Sequence, residues 1–459
     1  MTMRSSIFLA TLLCVSFSTP AFAQDESSED EAEGTDEVAA LKEEVKALKD
    51  KMEELDVRLR QREETRLLPD VFVKLDGYVD FGFFAPQGSG VGFVQDYGNA
   101  IFPRYAGQYA WVFLGDILST AVNSRGEVAD LGNPPGITRF DSIHSKGAPG
   151  FILNEANLTL KVGLQHHAIL TTSLNFVPRS GSDFALGDFF DLDLAQLEWI
   201  ALEGDPKLSF FAGKIDSVFG IEYKERKANQ RFGITPSLSA RYTTGTSLGL
   251  KARAKLLSDY VILSASVTNG SFTSEQFFFY NEIDTNSGKT IAGRAAIHIP
   301  LDDLFGDTGN TILEIGGSGE WGPQDRATDN NGKMWFVGAD IELSRQDFAI
   351  RAEWLKGASP GSLLEPVYSL QLNGTGYLEA TWMFLSWLGV LGRAEYRDAF
   401  ITLGNERAYL TKSWRATGGA RVVITDNLIV KTEYLHNGEY GGIPQIRNDV
   451  FTSSLLITY

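Results

Sequence analysis

Val71-Phe72-Val73-Lys74-Leu75-Asp76-Gly77-Tyr78-Val79-Asp80-Phe81-Gly82-Phe83 has a period of two. Val71, Val73, Leu75, Gly77, Val79, Phe81 and Phe83 form an apolar face, and Lys74, Asp76, Tyr78 and Asp80 lie between them. Successive side chains of a strand point to opposite sides, so this spacing makes a strand with one apolar and one polar face. The pattern returns downstream. Phe348, Ile350, Ala352 and Trp354 oppose Asp347, Arg351 and Glu353. Ile291, Gly293, Ala295, Ile297 and Ile299 oppose Arg294 and His298. Trp335, Val337, Ala339, Ile341 and Leu343 oppose Asp340 and Glu342. Strands of soluble sandwiches alternate too, so length and pairing must decide. These runs extend over about ten to thirteen residues, enough to cross a bilayer at a tilt.

The runs come in pairs. Tight turns fall at Gly163-Leu164, Gly204-Asp205-Pro206, Ser258-Asp259, Ser344-Arg345, Ser386-Trp387 and Thr425-Asp426, and a longer turn from Pro300 to Asn310 joins a further pair. Between pairs lie longer polar segments rich in Gly, Asn, Ser and Asp. Short turns on one side and long loops on the other are the pattern of barrels in outer membranes. A first strand near 72–84, pairs near 152–177, 191–216, 246–270, 289–320, 332–357, 373–399 and 412–438, and a last strand near 448–459 make sixteen. An even number brings both ends to one side. The predicted fold over 70–459 is all-β, a 16-stranded antiparallel transmembrane β-barrel, preceded by a short N-terminal coiled-coil helix. Such a barrel leaves a water-filled lumen unless a loop fills it. The stretch from Tyr109 to Leu118 is assigned to a very long first loop, 85–151.

Composition agrees. The chain has 459 residues, 43% hydrophobic and 22% charged, with a formal net charge of −18 and one cysteine. This apolar content is not that of a disordered chain. A single cysteine excludes a disulfide scaffold, and the acidic balance argues against a nucleic-acid binder. A mean hydropathy of −0.10 excludes a bundle of transmembrane helices but suits a wall in which only alternate residues are apolar.

The N-terminal region reads differently. Arg4 precedes an apolar stretch from Ile7 to Phe17, Pro20 interrupts it, and Ala21-Phe22-Ala23 gives a small-x-small site. This predicts a secretory signal peptide over 1–23, too short to span a membrane. Cys14 lies inside it, and Leu13 stands where a lipoprotein signal carries Gly, Ala or Ser. Residues 24–36 form an acidic, flexible leader. Over 37–68, Val38, Leu41, Val45, Leu48, Met52, Leu55 and Leu59 are spaced alternately three and four apart, with Glu and Lys between them. That narrow stripe predicts a coiled coil rather than a helix packed on its own domain. So short a coil is marginal alone, and it is expected to assist a homotrimer held by a larger contact. The segment 24–68 carries 16 acids against 8 bases, so part of the net charge belongs to the leader rather than to the barrel.

On the polar faces one run stands out. Lys251, Arg253 and Lys255 alternate with Leu250, Ala252, Ala254 and Leu256 to make a basic ladder, and Lys214 on the preceding strand is expected beside it. The loop between those strands adds Lys224, Arg226, Lys227, Arg231 and Arg241. Acids gather elsewhere, at Glu314 and Glu320 on one strand and at Asp340 and Glu342 on the next, and are expected well around the wall from the ladder. Opposed charges across a narrow aqueous channel would set up a transverse field. The alternative is that luminal charges pair locally, as Arg351 with Glu353 or Arg393 with Glu395.

The last strand carries Phe451, Leu455, Ile457 and Tyr459 on one face and finishes on an aromatic residue. That resembles the terminal signal read by barrel-assembly machinery. Gly213-Lys214-Ile215-Asp216-Ser217-Val218-Phe219-Gly220-Ile221-Glu222 resembles the "GK…FG.E" stretch of the phosphate-selective porin O/P family, and Thr244-Gly245-Thr246-Ser247-Leu248-Gly249-Leu250-Lys251 resembles the strand that follows it there. Leu75-Asp76-Gly77-Tyr78-Val79-Asp80 and the coiled coil also fit. The resemblance implies a trimeric outer-membrane porin whose third loop folds inward. It does not by itself make phosphate the solute, because members that bind phosphate carry dense Lys and Arg at the constriction and this barrel is acidic.

No catalytic set emerges. His144, His166, His167, His298 and His436 lack nucleophile or metal-ligand spacing, and Asp302, Asp303 and 325–331 read as solvated turns and loops. No enzyme activity, metal or cofactor is expected. The expected function is passive diffusion of small hydrophilic solutes and ions across the outer membrane of a Gram-negative bacterium, with the coiled coil in the periplasm and membrane lipid as the surrounding partner. Rival readings are an anion- or oxyanion-selective channel, a sugar channel suggested by Phe277, Phe278, Phe279 and Tyr280, and an envelope tether anchored by the barrel.

Overall fold

The computed structural model describes residues 71–86, 149–164, 167–176, 190–272, 287–306, 308–323, 333–359, 368–403, 406–440 and 449–459. The chain divides into two units, Met1–Pro69 and Asp70–Tyr459. The expected signal peptide, leader and coiled coil lie outside the described residues, as do Phe277 to Tyr280 and nearly all of the first loop.

Sixteen strands follow one another: β1 (Val71–Pro86), β2 (Gly150–Leu164), β3 (Ala168–Phe176), β4 (Phe190–Leu202), β5 (Lys207–Asp216), β6 (Thr246–Leu256), β7 (Val261–Thr268), β8 (Thr290–Pro300), β9 (Ile312–Pro323), β10 (Lys333–Ser344), β11 (Phe348–Ser359), β12 (Tyr368–Leu385), β13 (Leu388–Leu403), β14 (Glu406–Thr425), β15 (Leu428–Glu439) and β16 (Val450–Thr458). Two single-turn helices, α1 (Ala240–Thr243) and α2 (Asp302–Phe305), sit in connections. Each strand pairs antiparallel with its sequence neighbours, and β1 pairs with β16, so the sheet closes on itself. Closure leaves no free strand edge. The expected 16-stranded antiparallel barrel is the one observed.

The faces fall as the alternation predicts, and the usual core is inverted. Val73 is 66% exposed and Leu250 63%, on the outside, whereas Arg415 is 1% exposed and Lys431 2%, on the inside. A continuous apolar exterior of this extent has no place in water. It suits lipid, and the polar interior suits a hydrated lumen. Inside, among the described residues, apolar side chains gather in small islands, such as Phe211, Ile215, Val218, Phe272 and Ala292, or Tyr78, Ala228, Ile429 and Leu456.

One hairpin extends further than its apolar pattern. Residues 400–411 read as a loop, but β13 and β14 run on through them to Leu403 and from Glu406. Backbone pairing continues there while the alternation of apolar side chains has ended, and that alternation is the only signal the sequence offers. The closing seam depends on a small residue. Gly77 and Tyr459 exchange backbone hydrogen bonds at 3.2 and 3.0 Å. A Cβ on Gly77 would lie 2.3 Å from the Tyr459 ring.

Candidate pore and its inward-folded loop

The connection from β5 to β6 does not stay at the rim. Between Ser217 and Gly245 it enters the lumen, where Val218, Phe219, Ile221, Ala228, Ile234, Leu238, Ala240 and Tyr242 are all buried. It enters through Gly220, whose φ is +67°, a left-handed conformation that favours glycine. A Cβ there would also run into the Glu353 carboxylate at 2.2 Å.

The barrel wall grips this loop mainly through its backbone. Glu353 on β11 accepts the N–H groups of Ile221 and Glu222 at 3.0 and 3.3 Å. Glu395 on β13 accepts the N–H of Leu238 at 2.6 Å. Glu433 on β15 accepts from Ile234 N–H at 2.6 Å and from Thr235 N–H and hydroxyl at 3.0 and 2.7 Å. Wall cations hold the carbonyls. The Lys431 ammonium donates to Ala228, Arg231 and Gly233 oxygens at 2.7, 2.6 and 2.9 Å. Arg393 donates to the carbonyls of Thr235 and Pro236, and Arg415 to that of Pro236. Irregular backbone carries amide groups that need partners once buried, and a wall of alternating Glu, Lys and Arg supplies both donors and acceptors.

Within the loop, Glu222 accepts the N–H of Ser237 at 2.7 Å and its hydroxyl at 2.5 Å. Burial raises the Glu222 carboxyl above its ordinary pKa, although the Ser237 bonds pull the other way. Burial lowers the Lys227 ammonium, partly offset by Asp193. For Arg226 burial also acts downward, but Asp193 and Asp216 more than reverse it, and its pKa is raised.

The expected basic cluster is only partly brought together. Lys224 meets Glu314 at 2.9 Å. Arg226 is bonded to Asp193, and to Asp216 at 3.1 Å. Lys227 donates to Thr159 and Ser173 at 3.2 and 2.5 Å. Arg231 is buried and reaches the Arg226 carbonyl at 3.1 Å. On the ladder, Arg253 pairs with Glu198 at 3.0 Å and Lys255 with Asp259 at 3.1 Å. Lys251 donates to the Asp216 carbonyl at 3.3 Å and lies 4.5 Å from the Phe211 ring, with no acid partner among the described residues. Lys214 is not beside the ladder. It stands in register with Leu248 and Ala195, on the outer face, because β5 and β6 pair so that Phe211 and not Lys214 opposes Lys251.

The acids also need correction. β9 and β10 are the third and fourth neighbours of β6 in the closed sheet, so Glu314, Glu320, Asp340 and Glu342 share a quarter of the wall with the ladder. Glu314 is held by Arg294 at 2.7 Å and His298 at 3.2 Å besides Lys224, and Arg294 also binds Asp340. Glu320 lies towards the long-loop end and accepts the Phe272 N–H at 3.0 Å. Glu342 stands in register with Glu314 and Arg351. Local pairing thus absorbs much of this charge. Arg393 does pair with Glu395, at 2.9 Å, whereas Arg351 turns to Glu225 and Glu379, leaving Glu353 for the loop.

Beneath the loop, against β1 to β5, a polar chamber of about 270 Å³ stays open. Lys161, Lys224, Arg226, Lys227, Asp76 and Asp216 line it together with Asn and Gln side chains. Lys161 and Asp193 have no part in the sequence-derived cluster, nor do Lys431 and Glu433. Strand parity would have placed Lys431 and Glu433 in the lumen, but nothing local marks them as partners of a loop some two hundred residues earlier.

No protein-family model matches the chain, and no curated protein is similar to it in sequence. Solved structures are similar in fold. The outer membrane channel DcaP of Acinetobacter baumannii is 11% identical, with 85% of this chain and 98% of that one covered and a TM-score of 0.51. OprB of Pseudomonas putida is 8% identical over 85% and 94%, with a TM-score of 0.50. OmpF of Salmonella typhi, in complex with daunomycin, is 10% identical over 84% and 97%, again at 0.50. The likeness lies in the closed barrel and does not reach the phosphate-selective family that the sequence motifs resemble.

Proposed function

We propose that the chain is an outer-membrane porin of a Gram-negative bacterium, a passive channel for small hydrophilic solutes and ions. The observation that carries this reading is a closed barrel, apolar outside and polar inside, with a loop folded into its lumen beside an open polar chamber. Lipid covers the exterior, the short turns face the periplasm, and the loop sets the width of the path. Filtering then rests on that width and on the charges beside it. The coiled coil seam from Val38 to Leu59 assists a homotrimer in the periplasm, and the aromatic terminus at Tyr459 is read by barrel-assembly machinery.

Planar-bilayer recording in a salt gradient tests the reading. Stepwise insertion with threefold closure is expected, and a barrel that inserts but carries no current overturns it. Deleting 38–59 separates the tether alternative, which requires loss of envelope attachment at unchanged conductance. A second reading, preference for anions, rests on Lys161 in the chamber lining, since Lys224, Arg226 and Lys227 there are paired with Glu314, Asp193 and Asp216. A reversal potential on the cation side rejects it.

A further inference from the structure

One level of the lumen wall runs straight across four strands. Lys74 on β1 is in register with Lys161 on β2, Lys161 with Thr171 on β3, and Thr171 with Gln196 on β4. Their chain neighbours Val73, Leu75, Leu160, Leu170 and Leu197 are exposed on the outer face, so these four side chains belong to the polar one. Lys161, Thr171 and Gln196 line the chamber beneath the inward loop. Like charges directly opposite one another repel. Lys74 is paired with Asp76 at 2.9 Å, and Lys161 is left with no acid partner among the described residues. The loop cations of the chamber are already committed, Lys224 to Glu314, Arg226 to Asp193 and Asp216, and Lys227 to Asp193 and Ser173. Beside Lys161 the lining offers neutral groups that both donate and accept, from Thr171, Gln196, Asn229 and Gln230. The Gln196 carboxamide oxygen is buried and accepts no hydrogen bond among the described residues. A half-turn of a carboxamide exchanges its oxygen and nitrogen, so this side chain can meet a donor or an acceptor.

We propose that the chamber is a binding subsite for a polyhydroxy monocarboxylate, a sugar acid, with its carboxylate on Lys161 and its hydroxyls on Thr171, Gln196 and Asn229. The inference deepens the channel reading and rests on it for the solute's route, though not for its binding. Charge decides the first half. A single unpaired ammonium matches one carboxylate through charge-assisted hydrogen bonds. A second negative charge finds no free cation and meets Asp76 and Asp216 in the lining, so a phosphate dianion fits less well. Spacing decides the second half. Lys161 and Gln196 stand two strand spacings apart, about 10 Å, with Thr171 between them, so groups spread along a short carbon chain are reached together. Volume sets the upper limit. The chamber of about 270 Å³ equals about nine water molecules at about 30 Å³ each, enough for one sugar acid and too little for a disaccharide. A neutral sugar lacks the charge and a simple carboxylate lacks the hydroxyls, so each makes only part of the contacts.

The test uses the full chain folded in detergent micelles, with empty micelles as the blank. Gluconate, glucose and propionate are titrated separately and followed by saturation-transfer NMR of the small molecule, and inorganic phosphate is added as a competitor. Gluconate is expected to bind about tenfold more tightly than either glucose or propionate. Lys161→Gln is expected to bring gluconate down to the level of glucose and to leave glucose unchanged. Gln196→Ala is expected to weaken gluconate and glucose alike and to leave propionate unchanged. Three results overturn the proposal: gluconate affinity unchanged in Lys161→Gln, gluconate bound no more tightly than propionate or glucose, or displacement of gluconate by an equal concentration of phosphate. The comparison of the three probes on the parent protein decides by itself if a variant fails to fold. Gluconate binding by a barrel that carries no current sinks only the channel reading, and conductance without a preference for gluconate sinks only the subsite.

Discussion

Glu433 holds Thr235 twice, through the backbone N–H at 3.0 Å and the hydroxyl at 2.7 Å, on the same carboxylate oxygen. The other oxygen takes the Ile234 N–H. One wall residue therefore fixes two successive residues of the inward loop. Changing Glu433→Ala leaves three buried donors without an acceptor, at about 1–3 kcal/mol each. The barrel should survive, because the sheet is untouched, while the loop loosens. Single-channel recordings are expected to show larger, noisier steps. Glu433→Gln keeps an acceptor and should show a smaller change. Identical traces for Glu433→Ala and the parent would show that the loop is held elsewhere.

Gly220 is the point of entry into the lumen. Gly220→Ala forces a Cβ against Glu353 and asks a non-glycine residue to hold φ +67°. Backbone strain of this kind costs about 1–3 kcal/mol. The displaced segment carries Lys224, Arg226 and Lys227, which trypsin can cut once they leave the wall. Faster nicking of Gly220→Ala than of the parent, at unchanged barrel mobility on a gel, is the expected outcome.

These contacts mark the boundary of what the sequence shows. Alternation from Val71 to Phe83 and its repeats are local, so the strands, their number and their hairpins were all legible. Parity also placed Arg393, Glu395 and Glu353 inside. Register was harder to read. On β5, Phe210 and Phe211 are both apolar, so the alternation does not say which face Lys214 takes, and only the pairing with β6 settles it. The partners of the loop were illegible for another reason. Asp193 with Arg226, or Lys431 with the Arg231 carbonyl, join residues far apart in the chain, and no periodicity encodes such contacts. The distribution of charge along the sequence suggested opposite walls, whereas the closed strand order put the acids near the ladder.

Docking of the loop should depend on pH through Glu222. Its pKa is raised above 4.5 by burial, so the docked state binds more protons than the released one between the two values. Linkage then makes docking strongest below about 4.5 and weaker as pH rises through the raised pKa. Arg393 and Glu379 act on the same carboxyl in opposite directions, so a change at either should move the midpoint. Tryptic nicking of the loop, followed against pH, is expected to increase on the alkaline side. In Glu222→Gln, which cannot titrate, that part of the slope should vanish. A slope unchanged in Glu222→Gln would assign the pH dependence to other groups.

The ladder offers a sharper test of selectivity than its composition suggests. Arg253 and Lys255 are balanced by Glu198 and Asp259, whereas Lys251 has no acid partner among the described residues. Neutralising Lys251 removes one positive charge close to the chamber wall and leaves no acid behind. Lys251→Gln is therefore expected to move the reversal potential in a salt gradient toward cations. Arg253→Gln should do the same by another route, because it unmasks Glu198. The pair Arg253→Gln with Glu198→Gln keeps the local charge and should return the potential close to the parent. Screening over about 10 Å at 0.1 M salt predicts that both shifts shrink as salt rises. If Lys251→Gln and Arg253→Gln both leave the potential where it was, the ladder solvates the wall and plays no part in choosing ions.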